Sequence, residues 1–83
     1  MKPTIHNNGT ARQALLDRVL DAARALEEAI VVMARATPNG RDYYPQGSGA
    51  IEAAVEEHAT RIAKIGEVLD EMRELSMHIC DVD

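Results

Sequence analysis

Phenylalanine and tryptophan are absent from this 83-residue chain, tyrosine occurs twice and cysteine once. With Tyr43 and Tyr44 as its only aromatics, the chain cannot fill a wide globular core. Its Ala, Leu, Ile, Val and Met suit thin packing of helix on helix instead. The lone Cys80 excludes an internal disulfide framework and a multi-cysteine zinc site, and it suits a reducing compartment. Long apolar runs are missing too. The longest is residues 29–34, far short of the ~20 residues that a membrane-spanning helix needs. Residues 1–9 carry one lysine and little that is apolar beyond Ile5, so they read as a flexible N-terminal segment without targeting character, and a cytoplasmic location is expected. Positive charge is in deficit: nine Lys and Arg face fourteen Asp and Glu, for a net charge of −5. Direct binding to nucleic acid or to an anionic membrane is therefore not expected.

What is present is enough to fold. Hydrophobic residues make up 46% of the chain, close to the globular norm, so a single domain over residues 10–83 is expected rather than disorder. Thr10 and Gln13 have the spacing of a capping box, which predicts a helix over residues 11–36. Within it Leu16, Val19, Ala23, Leu26, Ile30 and Met33 alternate at three and four residues, an a/d seam. Pro38 disfavours helix at Thr37, and Pro38-Asn39-Gly40 reads as a turn. Residues 37–48 hold two prolines, two glycines and no helical period, so they are expected to be a loop. A second helix follows over residues 49–80. Its seam of Ile51, Val55, His58, Ile62, Ile65, Leu69, Met72, Ser76 and Ile79 is more regular than the first, broken only by His58 and Ser76.

The expected fold is thus all-α, a two-helix antiparallel hairpin. A single seam of medium-sized side chains offers little burial to offset the entropy of ordering two long helices. Residues 30–33 are moreover apolar all round the helix. Both points predict that two copies assemble as a homodimeric four-helix bundle.

Candidates for chemistry are few. His58, on the seam, reads as a neutral imidazole bonded inside the bundle, or as a pH switch if two copies meet across a two-fold axis, or as a ligand or acid-base group. The Glu-x-x-His spacing of bundle metal sites is missing, since Val55 and Leu75 lie three residues before His58 and His78. His78 and Cys80 diverge on a helix, and no base lies three or four residues from Cys80. The glycines at 40, 47 and 49 lack the strand and lysine of a phosphate loop. No catalytic residue, cofactor or metal is therefore assigned, and the chain reads as a non-enzyme. The loop is more informative: Arg41, Asp42, Tyr43 and Tyr44 beside Pro45 have the composition of an interface anchor for another protein, while a tyrosine closing the bundle end is the plainer reading. Gly66 is expected to let two helices approach closely. Residues 1–49 carry six basic and five acidic side chains, whereas residues 50–83 carry three and nine. The acidic second helix therefore offers an alternative function, mimicry of a nucleic acid that blocks its binding protein, against the ordinary reading of a solvated face.

The run NGRDYYPQG followed by EHATRIAKIGEVLDEMRELSMHI, over residues 39–80, resembles small helical-hairpin proteins of proteobacterial and phage genomes. That resemblance carries no assigned activity. It implies a phage or prophage accessory protein that binds and inhibits or redirects another protein.

Overall fold

The computed structural model describes residues 1–5 and 9–81, with Thr10 described by its backbone alone. Every element among these residues is helical: α1 spans Gly9–Arg35, α2 Gly40–Tyr43 and α3 Ala50–Asp81, and a 3-10 turn, Tyr44–Gln46, joins the last two. No helix among the described residues is long and apolar enough to cross a membrane.

α1 begins at Gly9, ahead of the expected cap at Thr10, whose side chain lies outside what is described. Gln13 Nε2 donates forward to Asp17 Oδ1 at 2.7 Å, one turn along the helix. The helix ends at Arg35 by tightening. The amides of Ala36 and Thr37 donate to the carbonyls of Met33 and Ala34 at 3.0 and 3.2 Å, and Thr37 Oγ1 also donates to Ala34 O at 2.6 Å. These i→i+3 bonds take up terminal carbonyls that a helix end leaves without partners, and Pro38 prevents continuation.

The connection is more ordered than its composition predicts. Asn39 is extended (φ −104°, ψ 134°), and its side chain accepts from the Arg41 amide at 2.9 Å. It therefore caps α2 instead of turning the chain, as Asn does readily at such a position. The 3-10 turn carries Pro45 near its start, where no amide is needed, and closes through the Gly47 amide on Tyr44 O at 3.4 Å. Gly47 and Gly49 then adopt φ of 96° and 89°, a left-handed conformation that residues with a Cβ resist. They swing the chain through the reversal, and α3 starts at Ala50.

α1 and α3 run antiparallel, which brings Met33 beside His58 at the loop end and Glu27 beside Arg73 further along. Five apolar residues are buried between them: Val19, Ala23, Ala54, Leu69 and Ile79, the last fully. His58 is the sixth buried side chain. Leu16, Leu26, Ile30, Met33, Ile51, Ile62, Ile65 and Met72 are half-buried around this line. One seam position needs correcting. Val55 is 38% exposed and Ala54 is buried in its place. A straight helix of 3.6 residues per turn drifts by ~20° per heptad from a 3.5-residue pattern, so a register that is right near Leu69 is rotated at the start of α3.

The molecule measures 61 × 19 × 13 Å, so its thinnest dimension is about one helix diameter. Its radius of gyration is 18.6 Å, against ~12 Å for a compact chain of this length. Among the described residues the hairpin is one layer of helix, with no second helix over either face; the N-terminal segment lies against the outer end of α3, where Met1 and Lys2 border a concavity with Met72 and Leu75.

Candidate functional site

Three places hold the residues of interest: the His58 contact inside the hairpin, the two broad faces of the layer, and the loop at its tip.

His58 is buried on α3 against the end of α1, where Nε2 lies 2.6 Å from Met33 O. A carbonyl only accepts, so Nε2 carries the proton. Nδ1 is left to accept from Arg61 Nη1 at 3.4 Å, and the neutral ring satisfies both bonds. The arrangement explains a polar residue on an apolar seam. Met33 O is among the last four carbonyls of α1, and beside the Ala36 amide it accepts from His58, which ties the end of α1 to the neighbouring helix. Ser76, the other polar seam residue, is half-buried and turns its hydroxyl back to Arg73 O at 2.7 Å. No metal is needed for either role. Among the described residues no three of His, Cys, Asp or Glu come together as a metal site would require; His78 is half-buried and Cys80 exposed.

The two faces of the layer differ. Arg73 Nη2 pairs with Glu27 Oε1 at 3.0 Å, and its Nη1 lies 3.8 Å from Asp70 Oδ1, so a small charge network crosses between the helices on one face. At 100° per residue, the side of each helix that carries this network also carries Leu20 and Val31 of α1 and Ile62 and Gly66 of α3. The opposite side carries Leu15, Ala22 and Ala29 of α1 and Val68, Met72 and Leu75 of α3. Of these six, five are half-buried and Val68 is exposed. No ion pair crosses between α1 and α3 on this second face among the described residues. Its loop end carries Arg61, which is engaged with His58 and lies 3.9 Å from Glu57.

Gly66 does not serve close packing inside the hairpin. No atom lies within 4 Å of the point a Cβ would occupy there, so the expected approach of α1 is absent. The cause is its angular position, to one side of the line joining the helices. The acidic row on α3 is likewise interrupted, since Arg61 sits on Glu57 and Arg73 on Asp70, and Glu56, Glu67, Glu71 and Glu74 remain as exposed carboxylates around them.

At the tip, Tyr43 is half-buried while Tyr44 is 86% exposed, and Arg41 and Asp42 are exposed. Tyr43, Tyr44 and Pro45 border a shallow open concavity with Ile51 and Glu52 of the first turn of α3. Tyr44 is thus a large amphipathic side chain displayed by a backbone that a proline and two left-handed glycines restrain. Restraint of this kind lowers the entropy lost when the residue is covered. The sequence signal for the tip was the pairing of aromatics with proline; nothing in the sequence marked the Glu27 and Arg73 pair, whose partners are 46 residues apart.

No family model, curated protein or solved structure matches this chain.

Proposed function

We propose that the protein is a non-catalytic interaction module that works as a homodimeric four-helix bundle and presents its tip, with Arg41, Asp42, Tyr43 and Tyr44, to another protein. The observation that carries this reading is the single layer: only five apolar side chains are buried, while apolar surface lies on both faces of a hairpin 13 Å thick. Helices with more than one apolar side gain most by being covered on more than one side. Tyr44 supports the second half of the reading, because exposed aromatics held on restrained backbone are the residue type enriched at the centres of interfaces.

Size-exclusion chromatography with light scattering tests the assembly. A mass twice the 9.1 kDa of the chain is expected, and a mass equal to one chain at high concentration overturns it. For the tip, Tyr44→Ala is compared with the unsubstituted protein as bait, with captured proteins quantified by mass spectrometry. Specific loss of a captured protein is expected. Identical capture by the two baits moves the contact elsewhere.

A further inference from the structure

Resting on the dimer reading above, we infer that the second copy docks on the face bearing Leu15, Ala22, Ala29, Val68, Met72 and Leu75, where it takes the place of Met1 and Lys2 beside Met72 and Leu75, with the two-fold axis parallel to the helices so that α1 of each chain lies on α3 of the partner.

Three observations lead there. The first is area. The chain exposes 6221 Å², whereas a compact monomer of 9.1 kDa exposes ~4,900 Å². The excess, on the order of 1,300 Å², is more than the ~800 Å² per partner that a stable interface of ordinary size buries. The occupant is therefore large enough to be another layer of helices, and a second hairpin of equal length fits it end to end.

The second is the contrast between the faces. Covering the face with Glu27, Arg73 and Asp70 would take a half-exposed charge network out of water, which costs more than the network returns unless new partners are supplied. On the opposite face no bridge joins the two helices among the described residues; its ion pair, Arg61 with Glu57, is a looser one at 3.9 Å within α3 at the loop end. Between its apolar residues the α1 side holds one charge, Arg18, which is exposed.

The third is charge. α1 has four basic and four acidic residues, and α3 has three basic and eight acidic. A two-fold axis across the helices would lay α3 on α3 and bring the two acidic helices together. An axis along the helices lays each acidic helix on the neutral one. The bond between His58 and Met33 sets the axial register, and counting away from it at equal rise places Arg18 level with about residue 73 of α3. In the dimer Arg18 therefore faces the stretch of the opposite α3 that holds Glu71 of the partner subunit. The same counting sets Ala22 beside Val68 of the partner subunit.

Cysteine trapping in a Cys80→Ser background tests the geometry. Chains carrying Ala22→Cys and chains carrying Val68→Cys are mixed and oxidised. A cross-link between the two kinds of chain is expected. Cross-linking of Ala22→Cys chains only to one another overturns the axis. In parallel, Ala22→Glu is expected to raise the dimer dissociation constant about tenfold or more, because it forces bulk and a charge into the interface with only Arg18, one turn away, to offset it, whereas Val31→Glu on the opposite face leaves it within about threefold. Circular dichroism on both variants separates lost assembly from lost helix. If Val31→Glu dissociates the dimer and Ala22→Glu does not, the face is wrong while the dimer stands. If the unsubstituted chain is monomeric, both fall. Arg18→Glu weakens the dimer, and adding Glu71→Arg restores it; failure of that rescue removes the pairing.

Discussion

Ile79 is fully buried near the end of α3, so a truncation there leaves a cavity. Ile79→Ala should cost about 3 kcal/mol, read as a lower midpoint at unchanged slope in urea denaturation. His58→Leu tests the cross-helix bond. By hydrophobicity alone it should stabilise the seam, yet it removes the donor to Met33 O, and a loss of about 1 to 2 kcal/mol is expected in the same assay. A gain would show that the bond contributes nothing. Gly66→Ala should act the other way, raising stability by up to ~1 kcal/mol, since helix interiors favour alanine and no atom stands within 4 Å of the new methyl group. The partner of His58 was not legible in the sequence. Spacing placed it on the seam, but its acceptor lies 25 residues away, and only the axial register of the two helices brings it within reach.

At the scale of elements, both long helices were readable because apolar side chains recur at the helical period and prolines stop the first of them. Their bounds differ from expectation by one or two residues, at Gly9, Arg35, Ala50 and Asp81. The connection was read less well. Pro38-Asn39-Gly40 has turn chemistry, yet Asn39 serves equally as an N-cap, and the short helices that follow bury nothing that would leave an apolar period to detect. Val55 was misplaced for a different reason, the drift between a 3.5-residue pattern and a 3.6-residue helix. The reversal itself depends on two left-handed residues. Gly47→Ala and Gly49→Ala should each destabilise the fold by about 1 to 2 kcal/mol, measured by thermal denaturation, even though open space surrounds both positions.

For the whole molecule, an elongated layer with five buried apolar side chains should owe much of its stability to association. Thermal denaturation then depends on concentration. A tenfold increase is expected to raise Tm by about 4 °C, since each tenfold change in concentration is worth ~1.4 kcal/mol per dimer. A Tm independent of concentration would mean that the hairpin stands by itself. Which face the proposed second copy would cover could not be read from the sequence, because both sides of each helix carry apolar residues. The charge network of Glu27, Arg73 and Asp70 distinguishes them, and it exists only once the helices are aligned. The antiparallel course of the hairpin also gives the rod two unlike poles: Gly9 and Asp81 at one, Tyr44 at the other, along a body 61 Å in length. With the two-fold axis along that body, both copies of Tyr44 emerge at the same pole, like the tines of a fork. A target that itself has two matching sites would then be held by both at once, and its release would require two simultaneous detachments, so residence time would multiply without any stronger grip at either tip.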